Sequence, residues 1–175
     1  MIRKILIVVV LFLAVMNSSF AQVKKEEKFE VYNPKAVPVE DLAKAVQQAM
    51  MQNKHVMIQI GGNWCKWCRV FYNFTKSDHE IDSVMNANYV VMHVNYSKEN
   101  KNLPFLETME FPQRFGYPVF VILNVSGQRI HTQSSWYLED GNKKKDGYDR
   151  EKVMAFLKDW SPAVLDPKNY EDEKK

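Results

Sequence analysis

Val56-Met57-Ile58-Gln59-Ile60-Gly61-Gly62-Asn63-Trp64-Cys65-Lys66-Trp67-Cys68-Arg69 is the stretch from which the rest of the chain is read. His55 to Ile60 is short and mostly apolar, as a buried strand is, and Gly61-Gly62 ends it. Trp67, Phe71 and Phe74 then recur at i, i+4 and i+7, the spacing of one helix face. Cys65 and Cys68 are the only cysteines in the chain. They therefore open a helix directly after a strand. There the first sulfur faces unpaired backbone N–H groups, which favour thiolate over thiol. A thiolate with a second thiol one turn away can attack a disulfide, form a mixed disulfide and be released from it. The pair reads first as the centre of a thiol–disulfide oxidoreductase.

Two other readings of the pair are weaker. A structural disulfide across three residues closes a loop too small to constrain the unfolded chain much. A closed zinc site asks for four ligands at recurring spacings. The four histidines, His55, His79, His93 and His131, are scattered, and there is no second cysteine pair. Neither a metal nor any other cofactor is expected.

Working outward, Arg3 and Lys4 precede an apolar run from Ile5 to Met16, followed by Ser19 and Ala21. That is the pattern of a secretory signal peptide over residues 1–21, cut after Ala21. The alternative is an uncleaved anchor, but the run is short against the ~20 apolar residues of a spanning helix. The product is expected to be exported, periplasmic or extracellular, and soluble after cleavage. Removal of residues 1–21 takes away Arg3 and Lys4 and no acid, so the net charge falls from +3 to +1. That near-neutral balance gives no reason to expect nucleic acid as a partner.

Residues 22–37 read as a flexible lead-in with one short edge strand near Phe29–Val31. A helix follows from Val39 to about Gln52, with Glu40 and Asp41 in its first turn and Leu42, Val46, Ala49 and Met50 on one face. After the cysteine helix come a short helix near Glu80–Asn86 and a buried strand at Tyr89–Val94. A helical stretch is expected around Leu103–Phe115. Val119 to Leu123 is continuously apolar, the best candidate for a central strand covered on both faces. Ser126-Gly127 turns the chain into an antiparallel partner at Gln128–Gln133. Residues 134–149, with Lys143-Lys144-Lys145, read as a solvated loop. Asp149 can cap a last helix carrying Val153, Phe156, Leu157 and Trp160 on one stripe. Residues 38–162 thus form one domain and 163–175 a polar tail. The element order implies an α/β sandwich with a mixed sheet.

Over roughly residues 38–160 the sequence resembles the thioredoxin-like superfamily. The resemblance rests on the strand Val56–Ile60, the motif Trp64-Cys65-Lys66-Trp67-Cys68, and Gly116-Tyr117-Pro118 before an apolar strand pair. It is nearest to exported thioredoxin-fold domains such as the C-terminal domain of the thiol:disulfide interchange protein DsbD. It implies a central mixed β-sheet flanked by helices on both faces. It also implies Cys65 as the exposed nucleophile and Cys68 as the more buried resolving thiol. By the same resemblance Pro118 is a cis proline facing the disulfide, although read alone it is a trans proline at a strand entry. Tyr117 would then offer its backbone as a strand edge to an extended polypeptide. Trp64 would cover the redox pair, and Lys66 and Trp67 fill the positions that tune thiolate stability and access. Gln59 departs from the pattern: many thioredoxins carry a buried acid six residues before the first cysteine. An amide hydrogen-bonds but is no general base, which leaves the proton path of Cys68 open.

The expected function is reduction of, or electron relay to, protein disulfides, by a monomer supplied by a membrane or soluble thiol donor. An oxidase or isomerase of folding proteins is the enzymatic alternative. The other is a non-catalytic binding module using Trp67, Tyr72, Tyr117 and Trp136.

Overall fold

The computed structural model describes residues 28–141 and 147–171. The signal-peptide segment 1–21, the start of the lead-in, the lysine run 143–145 and the last four residues lie outside them. Four strands form one sheet in the order β2-β1-β3-β4. Strand β1, His55–Gly61, is buried along its whole length. It runs parallel to β2, Tyr89–Asn95, in the register His55↔Tyr89 to Gly61↔Asn95. On its other edge it pairs antiparallel with β3, Val119–Leu123, from Ile60↔Val119 to Val56↔Leu123. β3 is buried throughout and pairs antiparallel with β4, Arg129–Ser134.

The strand pleat sends alternate side chains to opposite faces. Val56, Ile58 and Ile60 of β1 join Val119, Val121 and Leu123 of β3 in one core layer. Helices α1, Pro38–Gln52, and α4, Leu103–Thr108, cover that layer through Ala45, Ala49, Phe105 and Leu106. Met57, Phe120 and Ile122 face the other way. Over them lie α2, Lys66–Ser77, α3, His79–Asn88, and α5, Arg150–Asp159, through Phe71, Ile81, Met85, Phe156 and Leu157. The expected mixed sheet with helices on both faces is the observed architecture.

The helix ends follow local chemistry. Asp78 caps α3 by accepting from the N–H groups of Glu80 and Ile81, both at 3.1 Å. Asp149 caps α5 in the same way, at 2.9 and 3.1 Å. α1 starts on a proline and ends on Asn53 in the left-handed region, φ 51°.

Four expectations are corrected. Phe29–Val31 forms no strand, because the backbone of the next residue, Tyr32, bonds to the side chain of Asn63 instead of to a strand. Met50 is exposed (63%); the apolar stripe of α1 is Leu42, Ala45, Val46 and Ala49, and Met50 lies ~100° further round from Ala49. The stretch 103–115 is two pieces, α4 and a 3₁₀ turn Pro112–Phe115, separated by Glu110 and Phe111 at positive φ (58° and 55°). Pro112 excludes α geometry from the residue before it. Residues 134–149 are only partly a solvated loop. They hold a 3₁₀ turn, Ser135–Leu138, and a bridge between Glu139 and Tyr148, with Leu138 and Tyr148 buried.

Candidate active site

The site stands where β1 ends and α2 begins. Gly62 O accepts from Cys65 N–H at 3.0 Å, a tight turn that sets Cys65 as the N-cap of α2. Cys65 has extended backbone, φ −82° and ψ 111°, and its sulfur accepts the N–H of Cys68 at 3.1 Å. Serine or aspartate usually fills such a capping position. A sulfur there receives backbone donors directly, which stabilises negative charge on it. Cys65 and Cys68 are joined as a disulfide, with Cα atoms 5.3 Å apart.

Both sulfurs are well covered. Cys65 is 5% exposed and Cys68 2%, so the nucleophile expected to be exposed is buried in the oxidised pair. Tyr32 packs with the two cysteines, and Phe29, Val31, Trp67 and Tyr117 close over them. Gly61 makes this packing possible: a Cβ on it would stand 2.5 Å from Cys68 Sγ and 2.9 Å from the Tyr32 hydroxyl. No side chain larger than hydrogen fits there.

The segment before α1 is therefore part of the site and not only a lead-in. Tyr32 N–H donates to Asn63 Oδ1 at 3.0 Å, and Asn63 Nδ2 donates to Tyr32 O at 2.8 Å. This two-way bond clamps the segment to the loop that carries the cysteines. Phe29 meets Tyr72 edge-on at 5.6 Å, and the Arg69 guanidinium sits over the Phe29 ring.

On the opposite flank the Tyr117–Pro118 peptide bond is cis. Pro118 is buried, and Tyr117 lies against Tyr96 at 5.0 Å and edge-on to Trp64 at 5.5 Å. Trp64 Nε1 donates to Tyr96 O at 2.7 Å while much of its ring faces solvent (59% exposed). It forms one wall of an open cleft of about 660 Å³ that continues to Tyr96, Ser97 and Lys98. Trp67 turns inward, edge-on to Tyr148 at 5.6 Å, and Lys66 is at the surface.

Beneath Cys68 is a layer with more polarity than its surroundings. Gln59 and Gly61 share one face of β1, and Gln59 pairs in register with His93 of β2. Gln59 is buried, with Nε2 directed to Met57 Sδ at 3.8 Å. His93 meets the Tyr32 ring edge-on at 5.2 Å. Burial, aided by the charge of Lys76, pushes the His93 imidazole down to about 4. Burial likewise raises the Tyr32 phenol well above its ordinary value, so it stays a neutral O–H.

Cys65, Cys68, Trp64, Trp67, Tyr117 and Pro118 thus stand around one point, with Lys66 outside, Gln59 underneath and Tyr72 behind Phe29, whereas Trp136 is exposed and, among the described residues, is not part of the cysteine cluster. Sequence reasoning missed Tyr32, Asn63, Tyr96 and His93. Only Asn63, beside two glycines at a turn, carried a local signal. The other three are brought in by the register of β2 and by a segment without regular structure. Among the described residues no group of His, Cys, Asp and Glu could hold a metal ion. Among them, too, no helix is long and apolar enough to cross a membrane.

Known proteins show the same arrangement of elements. The chain is similar in structure to a disulphide isomerase from Xylella fastidiosa Temecula1, at 19% identity and a TM-score of 0.62, over 73% of this chain and 93% of that one. It is also similar to the C-terminal domain of Neisseria meningitidis DsbD in the oxidised form. There the identity is 12% and the TM-score 0.50, over 71% of this chain and 97% of that one. At these identities the likeness is one of fold. A search of curated proteins finds no match. The thioredoxin-like family model matches residues 37–125, the span that runs from α1 through the cysteine motif and the cis proline to the end of β3. By that match the chain belongs to the thioredoxin-like family.

Proposed function

We propose that the chain is an exported thiol–disulfide oxidoreductase that reduces, or relays electrons to, protein disulfides through Cys65 and Cys68. The observation that carries the reading is the position of Cys65 as N-cap of α2, its sulfur receiving the Cys68 N–H, in a disulfide flanked by Tyr117–Pro118. The thiolate of reduced Cys65 attacks a substrate disulfide and expels one substrate thiolate. Cys68 then attacks Cys65 Sγ, releasing the second substrate thiol and closing the Cys65–Cys68 bond. The backbone at Tyr117 holds the substrate as an extended strand.

The reducing direction is supported by the covering of the disulfide by Tyr32, Trp67 and Tyr117. Exposed or strained disulfides are the oxidising ones, whereas covered ones resist reduction. An oxidising compartment offers no thiol pool, so a membrane or soluble thiol donor must re-reduce the pair. Export rests on residues 1–21, whose basic start, apolar run and Ser19-x-Ala21 end have the form of a cleaved signal.

The test is a thiol-buffer titration of the Cys65/Cys68 pair together with reduction of insulin disulfides. A potential well below about −180 mV with catalysed insulin reduction is expected. A potential above that value would place the protein among oxidases and isomerases of folding. Absence of any exchange would leave a thioredoxin-fold binding module.

A further inference from the structure

The proton path of Cys68 has no carboxylate in β1, where Gln59 stands. The structure places another group beside that sulfur. Tyr32 is 2% exposed and packs with both cysteines. Its hydroxyl and Cys68 Sγ share the space a Gly61 side chain would fill, at 2.9 and 2.5 Å from the same point. The Asn63 clamp holds the Tyr32 backbone from both sides, and His93 and Phe29 fix its ring edge-on at 5.2 and 6.2 Å. The hydroxyl is therefore held on the same side of β1 as Cys68 Sγ, above the bare Gly61 backbone.

We propose that Tyr32 is a catalytic residue of the second half-reaction, its hydroxyl donating a hydrogen bond to Cys68 Sγ as that sulfur becomes the attacking thiolate. The inference rests on the exchange reaction proposed above. In that step the Cys68 thiol gives up its proton and its sulfur bonds to Cys65 Sγ. The bond between Cys65 and the substrate sulfur breaks, and the departing substrate thiolate takes up the proton. The Cys65–Cys68 pair is oxidised and the substrate is reduced. Tyr32 gains and loses no proton overall. It donates to charge that exists on Cys68 only between thiol and disulfide, so it favours the transition state over the ground state. Hydrogen bonds to a charged partner are about twice as strong as neutral ones.

The other titratable groups near this pocket are Cys65 at the N-cap of α2, His93 of β2, Tyr117 before β3 and Tyr148 before α5, with Lys76 acting on His93 and the Arg69 guanidinium of α2 over Phe29. Half-buried His93 is neutral above about pH 4, and the phenols of Tyr117 and Tyr148 are raised by burial. Near neutral pH the added charge on Cys68 therefore meets a donor at Tyr32 and no fixed anion from these groups.

The experiment reads Cys68 directly. In the full chain carrying Cys65→Ser, the iodoacetamide alkylation rate of Cys68 is followed against pH, with and without Tyr32→Phe. Loss of the hydroxyl is expected to move the Cys68 profile up by about one pH unit. In the full chain with both cysteines, Tyr32→Phe is expected to slow release from a preformed mixed disulfide about tenfold. In the Cys68→Ser background, the same change should leave formation of the mixed disulfide at Cys65 unaltered. 3,5-Difluorotyrosine at position 32 keeps the packing and makes a stronger donor, so it should move the alkylation profile down. Coincident profiles with and without Tyr32→Phe, or with and without the fluorines, would overturn the assignment. Failure of the wild-type pair to exchange at all would count against the oxidoreductase itself, whereas the alkylation profile would still decide on Tyr32.

Discussion

A side chain at this site is defined as much by what the neighbouring residue lacks as by its own chemistry. Gly61 lacks a Cβ, so Cys68 and Tyr32 can meet over β1. Gln59 lacks a carboxylate, so the β1 position under the cysteines offers an amide and no general base. His93 is half-buried, and this depresses its imidazole. Its imidazole titrates near 6.5 in the unfolded chain and at about 4 in the folded one. Between those values the unfolded chain binds more protons, so stability falls as pH is lowered from 6.5 to 4 and is unaffected above 6.5. The full span corresponds to roughly 3 kcal/mol. In urea unfolding of wild type and His93→Gln, the difference between the two midpoints is expected to change across pH 6.5 to 4 and to be flat above it. Parallel curves over that interval would show that the His93 imidazole is not depressed in the folded chain.

At the level of elements, most of the fold was legible because local rules and tertiary packing agree. The strand β1 and the run Val119–Leu123 combine apolar continuity with clear punctuation and appear within a residue of their expected bounds, while the helix after Cys65 runs on to Ser77, three residues past Phe74, the last apolar residue of the expected stripe. Where the sequence misled, a nonlocal partner or a proline decided. Phe29–Val31 has strand composition, but Asn63 takes the backbone bonds of the adjoining Tyr32. Leu103–Phe115 has helical spacing, but Pro112 divides it. Leu138 and Tyr148 sit in a polar stretch, yet they are buried under α5 and against Trp67. Capping was fully local and gives a clean prediction: Asp149→Ala removes two bonds to the first turn of α5 and should cost about 1 kcal/mol in denaturant unfolding. A change below a few tenths would mean that packing of Val153, Phe156 and Leu157 alone holds the helix end.

For the molecule as a whole, two core layers fix the sheet, and the sheet fixes one working edge. The C-terminal end of β1, the N-terminal end of β3 and the loop after β2 meet there, which is why Cys65, Tyr117 and Tyr96 are neighbours although far apart in sequence. The cysteine pair and its proline partner could be named from motifs. The covering of the disulfide by Phe29, Val31 and Tyr32 could not, because it depends on a segment outside the repeating pattern of strands and helices. The two sulfurs divide the labour, and trapping measures that division most directly. Reduced full chain carrying Cys68→Ser, mixed with a disulfide substrate, should accumulate a mixed disulfide at Cys65 that a dithiol releases, while Cys65→Ser forms none. Equal trapping by both variants, or by neither, would contradict the account.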